Sequence, residues 1–365
     1  VNEGELSEVL AGFAIEGQLV AAQRQAGGLI NTSRRIEISH DDELRPYLLQ
    51  SLNTHVFQDV EGLMDNLAAV SAHLSTRFAA AGVQQSERRC LTLVPSRQSQ
   101  NGLVTVDGVP WRLFHFIEGT VSRTTVENSR QAGAVGQAYG AFQRYLADYP
   151  GPPLVLTIPH FHDTALRFDA LQASARRDSC GRLEGCAPEL AFAAEQRRLA
   201  QVLPALAQRG VLPERVVHND AKPANVLFDE ATGEGMAVID LDTVMPGSAL
   251  HDFGDMIRSC TSTAGEDRTA TEVDVDLDLF SGLVQGYLAE AGSILTLAER
   301  EHLALAGVII TYEQGLRFLT DHLDGDVYFS GVHPGHNLSR CRNQFALVRA
   351  LMHRLPELQD IAAKA

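Results

Sequence analysis

From Val216 to Phe228 the chain reads V-V-H-N-D-A-K-P-A-N-V-L-F, and after an acidic, glycine-bearing turn from Asp229 to Gly235 it continues M-A-V-I-D-L-D from Met236 to Asp242. An apolar pair leads into a polar loop. Val226-Leu227-Phe228 and Ala237-Val238-Ile239 then have the composition of two short strands joined as a hairpin. Such a hairpin gathers His218, Asp220, Asn225, Asp240 and Asp242 at one edge. Phosphoryl transfer to an alcohol needs a carboxylate to orient and deprotonate the hydroxyl, and oxygen ligands for the magnesium that bridges the nucleotide's phosphates. The pattern H-x-D-x-x-x-x-N followed by a strand-end Asp meets both needs. Asp220 is the candidate base, Asn225 and Asp240 the candidate metal ligands, and His218 a brace for the loop.

At 365 residues the chain is long enough for two lobes with a cleft between them. Hydrophobic residues make up 45% and charged residues 21%, an ordinary globular balance. The net charge of -16 repels nucleic-acid phosphates and anionic headgroups, so no nucleic-acid or membrane partner is expected. The five cysteines are scattered, without a C-x-x-C pair, and read as free thiols. Val1 to Glu5 carry no basic stretch followed by an apolar one, so no signal peptide is read there, and a reducing, cytoplasmic setting is the expectation.

The first third mixes helix and strand patterns. A helical stretch from Glu5 to Glu16 precedes Gly27-Gly28, strand-like pieces follow at Asn31–Ser39 and Tyr47–Leu52, and Val60–Phe78 carries Leu63, Leu67, Val70 and Leu74 at helical spacing. Further strand-like pieces lie at Leu91–Pro95, Leu103–Val106 and Trp111–Ile117. Beyond Glu118-Gly119-Thr120 the pattern turns mostly helical, beginning with Gln131–Tyr149. The division is placed there: residues 1–116 as a nucleotide-covering N-lobe, and 117–365 as a C-lobe with the catalytic loop, metal site and substrate pocket.

The motif and its flanking strands resemble those of the aminoglycoside phosphotransferase and choline kinase superfamily. The resemblance implies an α+β, bilobal, protein-kinase-like fold with a small sheet-containing N-lobe and a larger, mainly helical C-lobe. Further segments are similar to bacterial N-acetylhexosamine 1-kinases: Ile30-Asn31-Thr32, Leu49 to Asn53, W-R-L-F-H-F-I-E-G-T from Trp111 to Thr120, H-F-H-D-T from His160 to Thr164, G-L-R-F-L-T-D-H-L-D-G-D-V-Y-F from Gly315 to Phe329, and H-N-L-S-R from His336 to Arg340. That family uses ATP and magnesium to phosphorylate the anomeric hydroxyl of N-acetylglucosamine or N-acetylgalactosamine. Carried over by position, Arg317 and Tyr328 resemble sugar-binding residues, with Asp220 facing the anomeric hydroxyl. The backbone of Phe114, His115, Phe116, Ile117 and Glu118 becomes the lobe connector at the adenine edge. Gly28, Asn31 and Thr32 fall in the phosphate-covering loop. His162 is a further substrate candidate, beside an alternative place lining the interlobe loop. A helical-turn ion pair between Arg317 and Asp321, and a core place for Tyr328, are competing accounts.

Kinases of this fold carry a lysine on the third strand, paired with a helix glutamate. Here Gln50 stands at that place, and Ala68 and Ala69 lie where the partner is expected. Lysine occurs only at Lys222 and Lys364, so Lys222 becomes the cation beside the reacting phosphate, its alternative being a solvated loop residue. Asp252 is expected to brace the catalytic loop. Asp242 is left open between a second metal, a water and a turn cap. Homoserine, choline, an aminoglycoside or another sugar are alternative acceptors, and a pseudokinase is an alternative of another class. Oligomeric state is not read from the sequence.

Overall fold

The computed structural model describes residues 3–25, 30–268, 273–329 and 331–365. The chain opens with α1 (Glu3–Ala11), followed by β1 (Gln18–Arg24), β2 (Thr32–His40) and β3 (Glu43–Ser51). Asp41 and Asp42 turn the β2–β3 hairpin at φ 50° and 62°, a left-handed conformation that Asp enters more readily than most residues. After α2 (Val60–Ala80), β4 (Val104–Val106) and β5 (Val109–His115) complete an antiparallel sheet of order β1-β2-β3-β5-β4.

Alternation along these strands decides what faces the site. Ile36, Ile38, Tyr47, Leu49, Trp111 and Leu113 share one face and bury against Leu6, Val9, Leu10 and Phe13. The residues between them, Leu48, Gln50, Arg112 and Phe114, therefore turn to the other face, toward the rest of the molecule. β1 carries no strand pattern of its own in the sequence. Its Q-L-V-A-A-Q-R sequence is poor in β-branched residues and half-exposed on both faces, as suits an edge strand. Conversely, Leu91–Pro95 forms no strand. It meets β5 through the Leu93–Phe114 bridge and two backbone bonds, Val94 N–H to the Leu113 carbonyl at 2.8 Å and His115 N–H to the Thr92 carbonyl at 3.0 Å, and Pro95 offers no further donor.

The remainder runs β6 (Thr120–Ser122), α3 (Ser129–Leu146), α4 (Thr164–Arg177), α5 (Ala187–Glu195), α6 (Val202–Gln208), β7 (Arg215–Val217), β8 (Val226–Asp229), β9 (Gly235–Val238), β10 (Met245–Gly247), α7 (Ala249–Cys260), α8 (Leu277–Ala291), α9 (Leu297–Asp324) and α10 (His336–Lys364). β8 and β9 are the expected hairpin, joined on one side by β6, while β7 pairs with β10. Helices α3 and α8 pack with their backbones almost touching. A Cβ at Gly136 would stand 2.3 Å from the Leu283 carbonyl oxygen, and one at Gly286 would stand 2.1 Å from that of Gly133, so only glycine fits. This close packing carries Tyr139, Gln143 and Tyr287 under the loop between β7 and β8. Among the described residues no helix is long and apolar enough to cross a membrane.

Candidate active site

The loop from His218 to Asn225 leaves β7 through a left-handed residue, Asn219 at φ 64°, a conformation Asn tolerates better than most. Asp252, on the first turn of α7, is fully buried beneath it. Its carboxylate accepts the backbone N–H groups of His218 at 2.9 Å and Asn219 at 2.7 Å, and the Gln143 amide at 2.8 Å. The Tyr287 hydroxyl donates to the same Gln143. On the other side, the Thr243 hydroxyl donates to the His218 carbonyl at 2.7 Å, and the Asn219 amide donates to the Thr243 carbonyl at 2.9 Å. His218 Nδ1 accepts the Asp220 N–H at 3.3 Å, so its Nε2 carries the proton donated to the Ile239 carbonyl at 2.9 Å. His218 and Asp252 thus tie the loop to the end of β9 and to α7.

At the head of the loop, Asp220 Oδ2 accepts from Lys222 Nζ at 2.7 Å and from the Asn225 amide at 2.9 Å. Burial alone would raise the Asp220 pKa, but the charge and hydrogen bond of Lys222, with His218 and Asn225, take it down to about 2. Lys222 is not a solvated loop residue: it is pinned between Asp220 and the field of Asp240, and its pKa is raised in spite of burial. The Tyr139 hydroxyl fixes the Lys222 carbonyl at 3.0 Å. Asp240 ends β9 at φ 61° and ψ 54°, a conformation costly for a non-glycine residue and characteristic of functional positions. Its side chain opens to solvent, yet desolvation by the surrounding protein, with the carboxylates of Asp242 and Asp220 behind it, pushes its pKa up to about 6.

The oxygen donors suit a hard cation. Asn225 spends its amide nitrogen on the Asp220 carbonyl and carboxylate, both at 2.9 Å, which leaves its oxygen for another partner. Asp240 accepts no side-chain hydrogen bond among the described residues, and its pKa is raised by desolvation first and then by the neighbouring carboxylates. Among the described residues, no three His, Cys, Asp or Glu side chains converge as a metal site of their own. One amide oxygen and one carboxylate match magnesium, which completes its shell with water and substrate phosphates.

On the sheet side the place of the absent lysine is filled from the neighbouring strand. Arg112 of β5, 1% exposed, lies opposite Gln50 in register and donates Nε to the Gln50 side-chain oxygen Oε1 at 2.8 Å. The Gln50 amide nitrogen donates to the Ser33 hydroxyl at 2.8 Å. The Arg112 guanidinium grips Asp242 with its two terminal nitrogens, Nη1 and Nη2, at 2.5 and 3.0 Å, and Asn31 adds its amide to the same carboxylate at 2.6 Å. Cation and countercharge are therefore both present, in a pairing that the search for a lysine did not find. The signal was there: an arginine amid W-R-L-F, on the face opposite Trp111 and Leu113. Thr32 opens β2 opposite Ser51, while Gly28, with Gly27 and Leu29, lies outside the described residues. In the connector, Phe114 and Ile117 are buried and His115 and Glu118 exposed. The Phe116 N–H bonds to the Pro46 carbonyl, and Arg35 lies 4.9 Å over the Phe116 ring.

Beyond the loop, His162 reaches the Asn219 carbonyl with Nε2 at 2.9 Å and the Glu313 carboxylate with Nδ1 at 2.7 Å. Two acceptors require two protons, so this buried ring is a cation. Burial opposes its charge, but Glu313 raises its pKa nonetheless. Both ring nitrogens of His162, a substrate candidate in the sequence, are taken up by these two bonds. Glu313, taken down to about 2 against its burial mainly by His162, went unnoticed because a mid-helix glutamate gives no local sign of its partner.

Arg317 makes no helical-turn pair with Asp321. Asp321 is occupied by the backbone N–H groups of Tyr328 at 2.7 Å and Phe329 at 2.9 Å and by Asn337 at 3.0 Å. Arg317 donates instead to Gln314 at 3.0 Å, and its guanidinium lies 5.0, 5.8 and 5.2 Å from the rings of Phe161, Tyr328 and Phe329. Tyr328 is 49% exposed and so is not a core aromatic. The sequence-designated positions Arg317 and Tyr328 therefore meet, and Phe161 connects them to His162 and the catalytic loop.

Solved structures share this architecture from end to end. An aminoglycoside phosphotransferase from Alicyclobacillus acidocaldarius superposes with a TM-score of 0.60 at 13% identity, covering 98% of this chain and 96% of that one. A choline kinase from Cryptosporidium parvum gives 0.59 at 13%, covering 99% and 98%. A spectinomycin phosphotransferase in complex with ADP and spectinomycin gives 0.53 at 13%, covering 100% and 98%. At such identities the likeness establishes the fold alone, the α+β protein-kinase-like arrangement. A sequence model of the phosphotransferase enzyme family matches residues 26–290, the span holding the sheet, the braced loop and the Asp240 strand end. By that match and by this fold, the chain belongs to the phosphotransferase enzyme family, whose fold it shares with small-molecule kinases.

Proposed function

We propose that the protein transfers the γ-phosphoryl group of ATP to the anomeric hydroxyl of an N-acetylhexosamine, with residues 1–116 and 117–365 as the two lobes. The observation that carries the chemistry is the meeting of Asp220, Lys222, Asn225 and Asp240 at one strand end. Asp220, held ionised by Lys222, orients the acceptor hydroxyl and takes its proton. Lys222 balances charge developing on the transferred group. Asn225 and Asp240 would hold magnesium, which when bound neutralises the phosphates and aligns them. The Phe114–Glu118 backbone meets the adenine edge, with Asn31, Thr32 and Gln50 beside the phosphates. The ADP of the spectinomycin enzyme supports a nucleotide as donor.

For the acceptor, the support is the Arg317 cluster. A quaternary ammonium or aminoglycoside needs free aromatic faces or carboxylates. Here Arg317 already covers Phe161, Tyr328 and Phe329, and a second arginine, Arg167, lies near enough that its pKa is lowered, by burial first and then by Arg317. Such a site disfavours cations and suits a neutral polyol whose hydroxyl and acetamido oxygens accept hydrogen bonds. The test is magnesium-dependent ATP turnover with N-acetylglucosamine, N-acetylgalactosamine, galactose, homoserine, choline and kanamycin, with Asp220→Asn as control. Formation of a sugar 1-phosphate that is lost in the control supports the assignment, and turnover confined to a cation overturns it.

A further inference from the structure

We propose that Arg112, Asp242 and Asn31 form a tether between the lobes that sets the nucleotide site, so that Asp242 is a positioning residue and not a metal ligand. The inference rests on the reading of a nucleotide at this site. Asp242 follows Asp240 by two residues, which suggests a second metal carboxylate. Its geometry points elsewhere: at 3% exposure, its two oxygens accept both terminal nitrogens of Arg112 and the amide of Asn31. Arg112 in turn is 1% exposed, so it cannot reach a phosphate as a strand lysine would. It acts through the groups it holds.

Those groups belong to three parts of the site. Gln50 orients the Arg112 guanidinium from β3. Asp242 anchors it to the turn that follows Asp240. Asn31, just before β2, bonds Asp242 with its amide nitrogen and takes the Asn53 N–H on its oxygen at 3.0 Å, so the entry to β2 is pinned both to β3's end and to the Asp240 turn. In kinases with a strand lysine, the ion pair lies within one lobe. Here it crosses from one to the other. A fully buried pair of this kind brings little net stability over an apolar replacement, so geometry is the more natural return for keeping it. When only a fraction of molecules is competent, apparent affinity falls by that fraction, and a tether that holds the lobes in register raises it.

Mg·ADP binding by titration calorimetry tests this without any acceptor. Arg112→Met alone strands a buried carboxylate and risks unfolding, so the informative variants are Asn31→Ala and the double variant Arg112→Met/Asp242→Leu. Both should bind Mg·ADP about tenfold more weakly, the worth of a lost charge-assisted hydrogen bond. The double variant should keep a wild-type thermal midpoint, adding Asn31→Ala to it should weaken Mg·ADP binding no further, and excess magnesium should not restore affinity. Double-variant binding within about twofold of wild type would make the pair merely structural, and recovery in excess magnesium would make Asp242 a metal ligand; either overturns the tether. If the double variant does not fold, Asp242→Asn, which keeps the shape of the side chain and removes its charge, decides by the same two measurements. Absence of Mg·ADP binding by the wild-type protein would overturn the nucleotide reading itself, and the tether with it.

Discussion

The carboxylate of Asp252 and the backbone of Asn219 meet at 2.7 Å, and that bond holds Asn219 in its left-handed turn one residue before the candidate base. The reach of α7 to the loop therefore sets the direction of the Asp220 side chain. The D-F-G letters around Asp252 suggest a metal site, but its oxygens are taken up by His218, Asn219 and Gln143.

Asp252→Ala should orphan three buried donors, each costing about 1–3 kcal/mol. A urea midpoint should fall accordingly, and turnover should fall further than the population of folded protein explains, because the loop loses its fixed turn.

Asp220→Asn removes the base while leaving an amide of the same shape. The maximal rate should fall about 10²–10⁴-fold, measured at saturating acceptor and nucleotide, while Mg·ADP binding persists.

Lys222→Met should lower the rate by about 10²-fold and also move the acid limb of the pH profile. In the wild type burial would raise the Asp220 pKa, but Lys222 with His218 and Asn225 takes it to about 2, so the base stays ionised over the working range. Without Lys222, burial is no longer outweighed and the pKa rises, so activity is lost at a higher pH as the solution is acidified.

Glu313→Gln probes the buried pair with His162. The Glu313 pKa is depressed from 4.5 to about 2, so its contribution is whole above 4.5 and is lost as pH falls toward 2. The His162 pKa is raised from 6.5, so its contribution is whole below 6.5 and is lost as pH rises through the raised value. The joint effect is greatest between these limits. At pH 5.5 the variant should lose about 3 kcal/mol, and the deficit measured by denaturant unfolding should shrink at alkaline pH as His162 becomes neutral in the wild type.

Arg317→Ala should raise the acceptor KM more than tenfold while the nucleotide KM changes little, about 1.4 kcal/mol or more of lost acceptor binding. Equal effects on both constants would place Arg317 outside the acceptor site.

The catalytic loop and its hairpin were legible in the sequence because their parts are local: the base, the amide and the strand-end carboxylate lie within residues 220–240, and the β8–β9 pairing brings the two ends of that stretch close. Gln50 in place of a lysine was legible too. Its consequence was not, since Arg112 and Asp242 are 130 positions apart and meet only when the sheet docks on the helical region. His162 and Glu313 are separated by 151 positions, and nothing local distinguishes an imidazole bonded on both sides from one facing a substrate. The Arg317–Asp321 spacing suggested a helical pair, but the turn after α9 takes Asp321 for its backbone N–H groups. Local spacing determined which groups could do the chemistry. Burial and long-range hydrogen bonding decided which carboxylate faces a metal, which faces an arginine and which carries the loop, because a carboxylate's role follows from the donors the fold brings to it.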